Sequence, residues 1–258
     1  MNLFSLFIGI GASLGLLQVV RRNPQDQALR WVTAGLAVLA AGLIGARANF
    51  VLLHPGLFAA TPLDALRIWL GGLSWPGALL FGLLALAGVS LILHVPFVRA
   101  ADALAPLFPI VAVMAWLGCS QAGCAYGSQI PQNNFWAMRL PDEQGQLAYR
   151  WPLQLVAAAG LLLLVWRVDL GSSGPNRPAG WLASSIGLAL ALHTFVFSSL
   201  RADNPPVLGS VRLDLAAAGM LAALCLFGLI WLSLRQLRAS FADKAPGANR
   251  ESWFSPRN

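Results

Sequence analysis

Residues 101–127 read ADALAPLFPIVAVMAWLGCSQAGCAYG. The run opens as an apolar helix and closes in a short polar patch, Gly118 to Gly127. Backbone that leaves helical geometry at membrane depth must line a cavity or be buried in protein, because lipid offers no partner to N–H and C=O groups. The glycines let the chain turn here, and Ser120, Gln121 and Tyr126 bring hydrogen-bonding groups. The other polar residues of the chain are expected to converge on this patch.

The surroundings of the patch settle the class. The chain is 57% hydrophobic and 10% charged, whereas a water-soluble domain carries about a quarter charged residues. Apolar stretches fall near 3–20, 31–53, 73–95, 103–118, 152–168, 179–200 and 213–234. Each approaches the roughly 20 residues that cross a bilayer, and 103–118 is the shortest. The expected fold is all-α and polytopic, with about seven transmembrane helices in a single domain over 1–238. A polar cytoplasmic tail, disordered, follows over 239–258.

The net charge of +7 does not point to nucleic acid, because the basic residues are scattered among loops. Alternate loops place Arg21, Arg22, Arg30, Arg99, Arg167, Arg177, Arg235, Arg238, Lys244, Arg250 and Arg257 on one side. Arg67, Arg139, Arg150, Arg201 and Arg212 fall on the other, and Arg47 lies within a span. The positive-inside rule then puts the first side in the cytoplasm and the N-terminus outside. The first segment has no basic n-region and no small-residue cleavage site, so it reads as a retained helix. No internal repeat supports a small transporter.

Several residues stand out against this background. Arg47 and Asn49 interrupt the second apolar run. A buried arginine faces a polar interior with a partner or ligand; snorkelling to the interface is the alternative. In 63–70, Leu63, Leu66, Ile68, Trp69 and Leu70 suit the membrane surface, with Asp64 and Arg67 toward water. Ser74 and Pro76 mark a helix start, whose free N–H groups can hold an anion. The segment after Gly127 is too long for a plain connector, and its Trp136, Tyr149 and Trp151 make it either an interfacial anchor or a lid. In the sixth span His193, Thr194 and Ser198 share a helical face.

Cys119 and Cys124 lie five apart, and a disulfide between them is open; Cys225 reads as packing. With no histidine cluster nearby, neither a metal nor a cofactor is expected.

These motifs together resemble bacterial prolipoprotein diacylglyceryl transferase, from about Gly45 to Leu232. GARANFVLLHPGLF is similar to that family's Gly-x-Arg-x-x-Tyr helix, and LRIWLGGLSWPGALL to its Trp-x-Gly-Gly-Met-Ser-Phe-His-Gly-Gly segment. ADALAPLFP resembles Asp-x-x-Ala-Pro-x-x-Pro. WLGCSQAGCAYG takes the place of Arg-x-Gly-Asn-Phe-x-Asn-Gly-Glu-x-x-Gly. FWAMRLP with RWPLQL resembles Trp-Ala-Met-x-Phe-Pro with Arg-His-Pro-x-Gln-Leu. The sixth span and Arg201 keep the register of Arg-Phe-x-x-Glu-x-x-Arg.

The resemblance implies a multi-pass enzyme of the bacterial cytoplasmic membrane that acts in lipoprotein biosynthesis. Such an enzyme moves a diacylglyceryl group from phosphatidylglycerol to the lipobox cysteine thiol of a preprolipoprotein and releases glycerol phosphate. That chemistry asks for a base at the thiol and cations at the departing phosphate. Here Pro76 replaces the family's histidine, Trp116 and Thr194 its arginines, Cys124 its acidic residue, Cys119 an asparagine, Ser198 a glutamate and Trp151 a second histidine. Arg47, Asp102, Gly118, Gly123, Gly127, Trp136, Arg150, Gln154 and Arg201 persist. A replacement site would use His193 as base and Arg47, Gln121, Arg150 and Arg201 to bind substrate. The alternative is an inactive relative that binds phospholipid or serves as an accessory subunit beside other membrane proteins.

Overall fold

The structure is a computed structural model and describes residues 3–68, 71–171, 177–204, 206–208 and 210–243. Trp69, Leu70, Pro205 and the tail from Lys244 onward lie outside the described residues.

All seven expected apolar stretches are helical. They are α1 (Leu3–Arg22), α2 (Ala28–Leu53), α4 (Trp75–Ile92), the pair α5 (Phe97–Leu104) and α6 (Leu107–Ala122), α7 (Leu153–Gly171), α8 (Trp181–Ser199) and α9 (Leu213–Asp243). A one-turn helix α3 (Pro55–Phe58) and a 3-10 turn over Pro62–Leu66 fill the α2–α4 connection. Five helices, α1, α2, α4, α8 and α9, are long and apolar enough to cross a bilayer. The fourth expected span is broken: α5 and α6 meet at 46° and count as one span only together. Pro106, which has no N–H, stands at the break, and Asn23 Nδ2 donates to Ala103 O there, 3.2 Å. The α7 apolar run, Leu153–Arg167, is shorter than the others. α9 continues past residue 239 to Asp243.

Helices pair mainly α2 with α4, α1 with α6, α8 with α9 and α6 with α7. The α2–α4 crossing is made by small residues: a Cβ on Gly45 would strike Phe81 and the Gly77 carbonyl, and one on Gly77 would strike the Gly45 carbonyl. Lipid tails give helices no hydrophobic reason to associate, so close backbone approach of this kind supplies the packing. Asn49 Nδ2 donates to Ser74 Oγ across the crossing, 2.7 Å, and Ser74 N to Ala46 O, 3.1 Å. Pro76 sits in the first turn of α4, as its sequence indicates.

The loops divide the bundle into two ends. At one end Arg30 reaches Leu93 O, and Asp102 accepts from Gly180 N and Ala183 N. Asp102 thereby satisfies open N–H groups at the start of α8, which gives this persisting residue a structural task. A continuous apolar core including Val19, Trp31, Val38, Leu86, Leu104 and Leu107 lies toward this end. At the other end the long segment after Gly127 forms a hairpin, β1 (Met138–Pro141) with β2 (Leu147–Arg150), antiparallel with Met138 opposite Arg150. A second short pair, β3 (Val207–Leu208) and β4 (Val211–Arg212), joins α8 to α9.

Candidate functional site

The polar patch caps α6. The helix ends at Gly123 in the left-handed region, φ +70°, and Cys124 N reaches back to Cys119 O, 3.2 Å. Glycine is required here twice over: its φ suits a helix C-terminus, and a Cβ would strike the Asp142 carbonyl. Cys119 and Cys124 are joined in a disulfide across this turn. Ala125 follows at φ +51°, a conformation that costs a non-glycine residue about 1–2 kcal/mol and that its surroundings must enforce.

Four neighbours enforce it. Asp203, buried, accepts from Ala125 N at 3.0 Å, and Ala202 N donates to Tyr126 O at 2.8 Å. Gln154 of α7, fully buried, donates from Nε2 to Cys124 O at 3.1 Å. Arg150, 4% exposed, lays its guanidinium 4.2 Å from the Tyr126 ring centre and pairs with Asp142 at 3.2 Å. Arg150 Nε and Gln154 Oε1 are buried without a partner among the described residues.

Behind the patch runs a chain of charges. Arg201 grips Asp203 through Nε, 2.8 Å, and Nη2, and its Nη1 stands 3.8 Å from Asp214. Arg212 pairs with Asp214 at 3.0 Å and donates to Ser198 O at 2.7 Å. The β1–β2 turn brings Glu143 to the same region. Burial pushes its carboxyl above the usual range, Asp203 pushes in the same direction, and Arg201 opposes.

The five candidate residues do not form one constellation. Arg150 lies against the Tyr126 ring, and Arg201 reaches the patch through Asp203, which accepts from Ala125 N. Gln121 is exposed, its amide 3.5 Å from Ser120 Oγ. Arg47 is 6% exposed, so it faces the interior and does not snorkel. Its donors go to backbone carbonyls: Nε to Ala65 O at 2.8 Å, Nη1 to Gly71 and Gly72, Nη2 to Asp64. It organises the α2–α4 connection.

His193 sits about one helical turn deeper than Gln154, since it meets the carbonyl of Ala157 on the same helix, 2.9 Å away. A carbonyl only accepts, so Nε2 carries the proton and Nδ1 holds a lone pair, buried and unpartnered among the described residues. Trp116 packs edge-on against His193 with ring centres 6.1 Å apart, and Phe197 lies at 4.4 Å from the imidazole. An aromatic cluster thus fills the place where Trp116 and Thr194 stand in for cations.

Sequence reasoning missed Asp142, Asp203 and Asp214, the carboxylates that engage these arginines. The i,i+2 spacing of Arg201 with Asp203, and of Arg212 with Asp214, was the available signal. Beside the hairpin a groove of about 390 Å³ opens against α7, lined by Phe135, Trp136, Met138, Pro152, Leu155 and Val156. Trp136 stacks edge-on with Trp151, rings 5.6 Å apart.

Comparison with known proteins agrees with this architecture. The family model described as prolipoprotein diacylglyceryl transferase matches residues 1–234. A protein of Polynucleobacter asymbioticus is 36% identical over 79% of this chain and 77% of its own length. One of Nitratidesulfovibrio vulgaris is 28% identical over 84% and 80%, and one of Polynucleobacter necessarius 29% over 85% and 83%. Each is named a phosphatidylglycerol–prolipoprotein diacylglyceryl transferase. With most of its length matched and its apolar helices in place, this chain belongs to the prolipoprotein diacylglyceryl transferase family and is a multi-pass protein of the bacterial cytoplasmic membrane.

Proposed function

We propose that the chain is a phospholipid-binding member of the family that does not itself carry out diacylglyceryl transfer. One observation supports this above the rest: every candidate arginine at the patch end is engaged by the chain's own acceptors. Arg47 is held by four carbonyls, Arg150 by Asp142, and Arg201 by Asp203 and Asp214. A departing glycerol phosphate needs preorganised positive charge in a low-dielectric site. Trp116 and Thr194 cannot supply it. What such a protein retains is the lipid contact of its relatives, whose names carry phosphatidylglycerol, together with a role beside other membrane subunits. The patch end faces the outside and the opposite, basic end the cytoplasm.

A second reading is favoured by the free Nδ1 of His193. In that reading the lipobox thiol gives its proton to Nδ1 and the thiolate attacks the glyceryl carbon of phosphatidylglycerol. The S–C bond forms, the C–O bond breaks, and glycerol phosphate leaves with the electron pair. Gln121, Arg150 and Arg201 hold the headgroup. The test is a transfer assay with purified protein, phosphatidylglycerol vesicles and a lipobox peptide, read by mass spectrometry for the diacylglyceryl thioether. No product beside an active family enzyme is expected. Product that disappears in His193→Gln would replace the first reading with the second.

A further inference from the structure

α1 and α7 both pack on α6 yet scarcely meet each other. α1 closes on α6 through glycines: a Cβ on Gly11 would meet Met114, and one on Gly15 would meet Leu107. A slot of about 290 Å³ is left between α1 and α7 with α6 as its floor. Leu14 and Leu17 form one wall, Leu162 and Val165 the other, and Ile110 and Met114 lie between them. Gln18 and Arg21 stand at one end. Arg21 occupies the basic last turn of α1, is exposed, and finds no hydrogen-bond or ion-pair partner among the described residues.

An apolar slot on a membrane-facing surface that the protein's own side chains leave unfilled forfeits dispersion contacts unless a lipid tail enters it. Leu14 to Arg21 covers about 10 Å of helix axis at 1.5 Å per residue. One leaflet of hydrocarbon is roughly 15 Å deep, half of the bilayer core. The slot therefore accepts the upper part of one acyl chain and sets a guanidinium at headgroup level. Its planar fork suits phosphate oxygens. A zwitterionic headgroup offsets its own phosphate with an ammonium, whereas an anionic one leaves the charge for Arg21.

We infer that the α1–α6–α7 slot binds an anionic phospholipid, with one acyl chain between α1 and α7 and the phosphate on Arg21. The site lies at the opposite end of the bundle from the Arg150 and Arg201 network. It rests on the phospholipid-binding reading for the class of ligand, and adds where that ligand sits.

The test uses the full chain, purified in detergent, stripped of lipid and offered equal amounts of dioleoylphosphatidylglycerol and dioleoylphosphatidylcholine. Native mass spectrometry counts the adducts, and circular dichroism checks the fold of each variant. Arg21→Gln is expected to lower the phosphatidylglycerol adduct about fivefold relative to phosphatidylcholine. Leu162→Trp fills the slot and lowers both. Arg99→Gln, an exposed arginine of the same end outside the slot, leaves the preference unchanged. Unaltered adducts in both Arg21→Gln and Leu162→Trp would overturn the site, and so would an equal loss from Arg99→Gln. Transfer is scored on a different product, so a catalytically active chain leaves this test standing.

Discussion

At one end of the bundle Arg201 and Arg212 are bound to Asp203 and Asp214, Arg150 to Asp142, and Arg47 to four carbonyls. At the other end Arg21 stands exposed on α1 and Arg99 on α5. The difference follows the backbone. The first end carries the irregular stretches: the α6 cap, the β1–β2 hairpin and the α8–α9 connection. Their peptide groups need partners where water is scarce, and buried side chains provide them. The second end turns quickly, from α1 to α2 and from α4 to α5, over an apolar core. Arg30 reaches the Leu93 carbonyl there, while Arg21 and Arg99 stay at the exposed surface.

This contrast breaks hardest at Asp203. Asp203→Ala removes the acceptor for Ala125 N and leaves the half-buried Arg201 with the more distant Asp214 and Glu143. Removing one member of a buried pair costs about 3–5 kcal/mol. A large fall in unfolding temperature in detergent is expected, and a shift within error would mean that the network is not what holds the patch. The same glycine substitution should then separate the two ends. Gly123→Ala forces alanine into φ +70° and against the Asp142 carbonyl, at a cost of about 2–3 kcal/mol. Gly88→Ala, in α4 near the basic end, has open space around its Cβ and should stabilise by about 0.5–1 kcal/mol. Thermal unfolding of the pair gives opposite signs if the patch end is the strained one.

The disulfide sharpens the same comparison on a smaller scale. Closing a loop of this length restricts the unfolded chain by about 2 kcal/mol in the chain-entropy account. Cys119→Ser should lower stability by about that amount, with Cys124→Ser matching it and Cys225→Ser, in α9, differing from both. Equal effects of all three would show that the bond contributes no more than a buried thiol.

Hydropathy made the helices legible, because each apolar run approaches a membrane crossing and every one is helical. It also marked the weak point: the stretch around Pro106 that read as the shortest span is a bent pair. The β1–β2 hairpin was not legible. Its strands are four residues long and their side-chain pattern barely alternates, so aromatic content alone drew attention to the segment. At the site, Arg47 was readable as buried but its partners were not, since backbone carbonyls of a distant loop leave no mark in composition. Arg201 and Asp203, and Arg212 and Asp214, stand two residues apart in the sequence. Their burial came only from the way α8 and α9 return to the α6 cap.

The smallest effect concerns Glu143, the carboxylate that the hairpin turn adds to an end already rich in them. Burial and then Asp203 raise its folded-state affinity for a proton above that of the unfolded chain, against the pull of Arg201. The folded protein therefore binds more protons than the unfolded one between the ordinary carboxylate value and the raised one, so stability declines as pH rises through that window. Glu143→Gln has no proton to lose. The variant and the parent should be equally stable below the window, and the variant should be the more stable above it, with the gap opening as the parent ionises. Thermal unfolding of both proteins across acid to neutral pH measures this directly. A gap that opened the other way would make ionised Glu143 a favourable partner of Arg201, and the patch end would then hold a carboxylate and a guanidinium in working contact. That outcome would weaken the case that its cations are spent on structure alone.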